Sequence, residues 1–276
     1  MTAAVLVMVA GLAQGAGVQR LRTPEGVRYH AWFPEERPAG LVVSVHGISR
    51  NAAEHVRRLA PAAAAAGYAV VAPLLPPGRF RGFQRLRAGA AEAVEDVVAD
   101  AAARAGRPFP RFVLVGFSGG AQFAHRYAML RPGRIESLLL GAAGWYTLPD
   151  PALPWPLGVA PGTAPAAVDL AGFLRLPVTV VVGADDTRRD VSLNADPAVD
   201  RLLGRNRLER ARRWVAALRA RRRAGGAPVR LRVLPGVGHD FAEAARAGLV
   251  DALAEALGVA PRRHVTRITA AASGGG

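Results

Sequence analysis

The stretch that most constrains this chain runs from Phe112 to Arg131, FVLVGFSGGAQFAHRYAMLR. Phe112-Val113-Leu114-Val115 is a short apolar run of strand formers, the pattern of a strand buried on both faces. Gly116-Phe117-Ser118-Gly119-Gly120, a G-x-S-x-G, follows it, and Ala121 to Leu130 contains neither Pro nor Gly and reads as a helix. A strand, a sharp turn and a helix around this motif are the setting of a nucleophile elbow. A turn this tight strains the serine backbone, and small residues on either side let strand and helix pack closely. Ser118 Oγ is then expected to stand at the helix N-terminus, where the helix dipole and free N–H groups favour negative charge.

Around this core the pattern alternates. Further strands are expected at 26–33 (as an edge strand), 41–45, 68–72, 135–140, 178–182 and 229–234. Helices are expected at 54–66, 88–105, 206–220 and 242–257. Such alternation predicts an α/β protein with a mostly parallel central sheet, helices on both faces, and function at the carboxyl ends of the strands. The length, 276 residues, suits one large domain. We place it at residues 25–258, with an N-terminal segment at 1–24 and a disordered tail at 259–276. Residues 145–177 are dense in Pro and aromatics and form a long excursion. Trp145, Tyr146 and Trp155 either wall a pocket or pack locally at the surface. In the helix at 206–220, Leu208, Ala211, Val215 and Leu218 share one face and the arginines take the other. The acids of the 88–105 helix, Glu92, Glu95, Asp96 and Asp100, read as surface charges.

Composition excludes several classes. There is no cysteine, so no disulfide, thiolate nucleophile or Cys-ligated metal is possible. The net charge is +15 and every Lys+Arg position is Arg. The arginines are scattered, dense only at 219–223, and no zinc-finger spacing or aromatic–basic interleaving accompanies them. They read as compositional bias, and nucleic acid is not an expected partner. Residues 3–13, AAVLVMVAGLA, are too short for a membrane span, so no stable membrane insertion is expected. The stretch resembles the apolar region of a signal peptide, though no Lys or Arg precedes it. A cytoplasmic location is the expectation, with export through this weak signal as the alternative.

Two further strand ends carry chemistry. A serine hydroxyl is a poor nucleophile and needs a base to take its proton. His239, in the loop after the last strand, suits that task because imidazole titrates near neutral pH. A carboxylate must then fix the imidazole tautomer and stabilise the imidazolium. Asp185 and Asp186, after the strand at 178–182, are the candidates. His46-Gly47-Ile48-Ser49 follows the strand at 41–45 and brings N–H groups to the same rim. The Ile48 N–H is the first candidate oxyanion donor, the Ser49 N–H the second, and the Gly119 N–H the other member of the pair. His46 itself is expected to hold the loop rather than to react.

The order Ser118, then Asp185 or Asp186, then His239 resembles that of the α/β-hydrolases over residues 25–258. The usual family placement of the acid, three residues after Gly183, implies Asp186. A narrower likeness lies in His46-Gly47-Ile48-Ser49, in Ser118-Gly119-Gly120-Ala121-Gln122, and in Asp186-Thr187-Arg188 followed by an Arg-rich helix. These resemble the esterase group that contains polyhydroxybutyrate depolymerases and feruloyl esterases. The resemblance implies the α/β-hydrolase fold and a serine hydrolase that cleaves small or oligomeric carboxylic esters through an acyl-enzyme. Ser118, Asp186 and His239 would be catalytic, Ile48 and Gly119 would hold the oxyanion, and no metal or organic cofactor would be needed. Acyl transfer, amide or peptide hydrolysis, and a non-catalytic binding role on the same scaffold are the alternatives.

Overall fold

The computed structural model describes residues 17–222 and 226–260. The signal-like stretch at 3–13, the last residue of the dense arginine run, and the tail from residue 261 lie outside the described residues.

Eight strands form one sheet: β1 (Gln19–Arg22), β2 (Arg28–Trp32), β3 (Gly40–Val45), β4 (Tyr68–Pro73), β5 (Phe112–Phe117), β6 (Ile135–Gly141), β7 (Val178–Gly183) and β8 (Val229–Leu234). Their order is β1-β2-β4-β3-β5-β6-β7-β8. The β1/β2 and β2/β4 pairs are antiparallel, and every other pair is parallel. The strand around 28–32 is therefore not the edge. β1 covers it, and the sheet begins before residue 25, inside the expected N-terminal segment.

Apolar residues on both faces of the central strands require helices on both sides. The helices are α1 (Ala52–Ala65), α2 (Ala90–Ala105), α3 (Gly119–Leu130), α4 (Leu170–Phe173), α5 (Pro197–Leu203), α6 (Arg207–Arg221), α7 (Phe241–Ala244) and α8 (Val250–Ala256). Along β3, Val43 joins a core with Val94 and Val97 of α2, Phe123 of α3 and Trp214 of α6. Its neighbour Val42 joins the opposite core with Val56 and Leu59 of α1 and Leu253 of α8. The strand period of two is thus read out as two separate cores.

Three expectations are corrected. The last helix is broken: a π-helical turn, Ala245–Leu249, separates α7 from α8, and Gly248 there has φ of 152°. Glu95 is not a free surface acid. It accepts the Tyr127 hydroxyl and pairs with Arg134 Nη2 at 2.7 Å. In the 145–177 excursion Trp145 and Tyr146 are buried in the core, and Trp155 is half-buried. Tyr146 is fully buried and stacks on Trp214 at 4.6 Å, while Trp214 Nε1 donates to the Thr147 carbonyl at 2.7 Å. Tyr146 is a core residue because Trp214 on the facing helix offers it a large apolar surface, and Trp145 is buried under the Arg126 guanidinium, 4.3 Å from its ring centroid.

Glycines allow the central contact. A Cβ on Gly120 would lie 1.9 Å from the Val45 carbonyl oxygen, and one on Gly116 would lie 2.3 Å from the Gly120 carbonyl oxygen. β3, β5 and α3 therefore meet backbone to backbone, and neither partner can rotate away. Gly120→Ala is expected to destabilise by more than the ~1–3 kcal/mol of ordinary overpacking. A denaturant titration checks this, and an unchanged midpoint would refute the close contact.

Candidate active site

The turn after β5 holds Ser118 at φ 54° and ψ −114°. A positive φ costs an L-residue free energy and persists only where surrounding structure imposes it. Here the Ser118 N–H donates to the Gly141 carbonyl at 2.8 Å, and the Ser118 carbonyl accepts from Gln122 N at 3.1 Å. The strained residue is clamped on both sides, and Oγ projects from the N-terminus of α3.

His239 Nε2 lies 3.0 Å from Ser118 Oγ, and its Nδ1 lies 2.7 Å from Asp186 Oδ2. A carboxylate only accepts, so Nδ1 carries the proton of the neutral ring. Nε2 is then left with its lone pair facing the serine hydroxyl. Asp186 is 1% exposed and Asp185 is exposed to solvent, so the structure brings Asp186 and not Asp185 to the histidine.

The two loops that carry this pair are fused at the backbone. A Cβ on Gly183 would lie 2.0 Å from the Val237 carbonyl oxygen. That same carbonyl accepts from Asp185 N at 3.0 Å, and Ala184 N donates to the Leu234 carbonyl at 2.8 Å. The imidazole also rests on aromatic rings. Phe117 stacks on it at 5.4 Å, Phe241 meets Phe117 edge-on at 5.4 Å, and His55 stacks on Phe241 at 3.7 Å. His55 Nδ1 pairs with Ser44 Oγ at 2.8 Å, and burial holds the ring neutral.

His46 is structural, as its setting shows. Its Nε2 accepts from Leu75 N at 3.0 Å, so Nδ1 carries the proton and donates to the Gly47 carbonyl at 2.7 Å. Burial lowers its pKa to about 4, partly offset by the Gly47 carbonyl, so the ring stays neutral around pH 7. Arg50 N also donates to Gly47 O, at 3.2 Å. In a trans peptide the N–H points opposite to the C=O. Pinning the Gly47 carbonyl on one side therefore turns the Ile48 N–H to the other. A Cβ on Gly119 would stand 3.7 Å from Ile48 N, and one on Gly47 would stand 3.2 Å from Ser118 Cβ, so this loop lies against the elbow. Among the described residues neither the Ile48 nor the Gly119 N–H has a hydrogen-bond acceptor, which leaves both free for a substrate oxygen.

Sequence reasoning missed Arg207. The α6 arginines are not all on a solvated face: Arg207 is 1% exposed and Arg210 is fully buried. Arg207 Nη1 is 3.3 Å from Asp186 Oδ1 and 2.8 Å from Asp190 Oδ2, and its Nη2 donates to Ser192 Oγ at 2.7 Å. The Arg207 guanidinium, helped by Ser192, holds the Asp190 carboxyl well below its usual range. A signal was present in the two aspartates at 186 and 190 facing an arginine at the start of the next long helix. Arg219 and Arg221, by contrast, lie at the exposed end of α6. No group of three or more His, Asp and Glu placed to hold a metal occurs among the described residues.

Known structures share this arrangement of strands. A poly(aspartic acid) hydrolase-1 from Sphingomonas sp. KT-1 is 23% identical with a TM-score of 0.73, over 85% of this chain and 98% of that one. The poly(3-hydroxybutyrate) depolymerase LpqC from Bordetella parapertussis is 25% identical with a TM-score of 0.69, over 84% and 88%. An S-formylglutathione hydrolase from Agrobacterium tumefaciens is 16% identical with a TM-score of 0.59, over 87% and 94%. The chain has the α/β-hydrolase fold. No protein-family profile matches the sequence, and no curated protein matches it. In this α/β-hydrolase fold, Ser118, Asp186 and His239 all follow the carboxyl ends of parallel strands, β5, β7 and β8. No helix among the described residues is long and apolar enough to cross a membrane.

Proposed function

We propose that this chain is a serine hydrolase that cleaves carboxylic esters through an acyl-enzyme. The observation that carries the reading is the unbroken line from Ser118 Oγ through His239 to Asp186, with contacts of 3.0 and 2.7 Å. As Ser118 Oγ attacks the carbonyl carbon, Nε2 takes its proton. Asp186 holds the ring and stabilises the imidazolium. The charge arriving on the carbonyl oxygen meets the Ile48 and Gly119 N–H groups, each worth about 10²–10³ in kcat where such donors have been removed. His239 then gives the proton to the leaving alcohol. Water, deprotonated by the same nitrogen, attacks the acyl carbon and frees Ser118. No step calls on a metal or an organic cofactor.

A fluorophosphonate probe tests the reading. It should label the folded protein at Ser118, and p-nitrophenyl acetate and butyrate should compete. A folded protein that takes up no probe would instead be a binding protein on a hydrolase scaffold. Amide hydrolysis by the same three residues is the second reading, supported by the likeness to a poly(aspartic acid) hydrolase. Matched acetyl ester and acetyl amide substrates separate the two: ester cleavage is expected to dominate, and comparable amide turnover would favour the second.

A further inference from the structure

We propose that Arg207 is a positioning residue for the Ser118 site: it grips the outer oxygen of Asp186 and, with Asp190 as counterweight, sets the charge that the His239 imidazole faces. This rests on the reading of Ser118 as the nucleophile.

Arg207 stands where a cation is hard to keep. It is the first residue of α6, where the helix dipole disfavours positive charge, and it is 1% exposed. A buried charge needs close partners to be tolerated. It has two carboxylates, and they are not equivalent. Asp190 is held at 2.8 Å, within the range of a charge-assisted bond, whereas Asp186 Oδ1 is at 3.3 Å, beyond it. Asp190 also meets Nη2 at 3.3 Å, so it is the closer and doubly bound partner. Asp186 keeps enough negative charge to stabilise an imidazolium, and yet its second oxygen is tethered. A carboxylate held only at Oδ2 could turn about Cβ–Cγ; held at both ends, its plane stays on the Nδ1–H axis.

The remaining charged groups around the pair are spoken for. On the loop after β7, Asp185, Arg188 and Arg189 are exposed, and Arg189 pairs with Asp200 at 2.7 Å. On α6, Arg210 is buried and bound to Asp200 at 2.8 Å. After β6, the Tyr146 phenol is kept neutral, first by burial and then by the nearby Asp186 charge. After β8, the Asp240 carboxylate is turned away to cap α7 at Glu243 N, 2.8 Å. At rest Asp186, Arg207, Asp190 and neutral His239 sum to one negative charge. Protonating His239 brings the sum to zero.

The test is the pH dependence of kcat/KM for p-nitrophenyl acetate in Arg207→Met and Asp190→Asn. The base works when neutral, so the acidic limb follows the imidazole pKa. Removing the cation favours the imidazolium, and Arg207→Met should move the limb to higher pH. Removing the counterweight leaves Arg207 bare beside Asp186, and Asp190→Asn should move it to lower pH. Each shift should be about 0.5–1 unit. Arg207→Met should also lower kcat roughly 10–10²-fold with little change in KM, the range found for outer partners that orient a ligand. Arg207→Lys should recover part of that loss. Asp190 lies on an exposed loop, so if Arg207→Met fails to fold, the Asp190→Asn limb decides alone. Limbs that stay put, or that move together, would overturn the inference. If Ser118→Ala is inactive in the same assay, that failure falls on Arg207 alone; if Ser118→Ala stays active, it is the nucleophile assignment that fails.

Discussion

Ser118→Ala should lower kcat for p-nitrophenyl esters by on the order of 10⁶ while the protein stays folded. Alanine keeps the Cβ, so the backbone at φ 54° is strained to the same degree before and after. What leaves is one hydroxyl and its contact to His239 Nε2 at 3.0 Å. Ser118 is only partly buried, so water can take the vacated acceptor. The stability change should stay near the net worth of one hydrogen bond, about 0.5–1.5 kcal/mol. Some acceleration over water should survive, roughly 10³–10⁴, because the N–H groups at Ile48 and Gly119 still polarise a bound carbonyl. The measurement is kcat beside a thermal melt. A variant that melts like wild type and keeps most of its rate would remove Ser118 from the chemistry.

Asp186→Asn should lower kcat by about 10⁴, and Asp185→Asn should leave it near wild type. The cause is a change of tautomer. An asparagine can offer its NH₂ to His239 Nδ1, which must then accept. The ring proton moves to Nε2 and faces Ser118, where it can no longer receive one. In this protein a second effect adds to it. Arg207 loses one of its two carboxylates and leans wholly on Asp190. Asp185 has no such role: its side chain is in solvent, and only its N–H matters, bound to the Val237 carbonyl at 3.0 Å. Steady-state kinetics on the two variants side by side discriminate cleanly. Equal losses would mean that the acid loop as a whole, and not one carboxylate, is what His239 requires.

Much of this site is legible along the chain, for a local reason. Ser118, Asp186 and His239 each sit just beyond an apolar run, next to glycines that only a tight turn or a close contact requires. Gly183 and Gly120 prove to be contact glycines of this kind. Such signals depend on a few neighbouring residues. Arg207 gives only a weak signal. By helical periodicity it lines up with Ala211, Trp214 and Leu218, which are buried, but a charged residue at the first helical position is ordinarily read as solvated. Arg207 is buried only because Asp186 and Asp190, some twenty residues away, meet it there. The same holds for Tyr146, whose burial depends on Trp214 in α6, and for Glu95, whose partners lie on and after α3. β1 escapes notice because QRLR carries charges on alternate positions and a single Leu, a pattern that an exposed edge strand tolerates and a coil shares equally.

The burial of Tyr146 and Thr147 bears on how turnover is timed. The Thr147 N–H donates to His125 Nε2 at 2.9 Å, its hydroxyl oxygen accepts from Arg126 Nε at 2.9 Å, and its own carbonyl holds Trp214. Swinging this excursion outward would strip three buried bonds at once, each costing about 1–3 kcal/mol when left unmade. It behaves as part of the wall and not as a door. On the proposed ester reaction, arrival of substrate and departure of alcohol then owe nothing to a gating motion of the chain around Thr147.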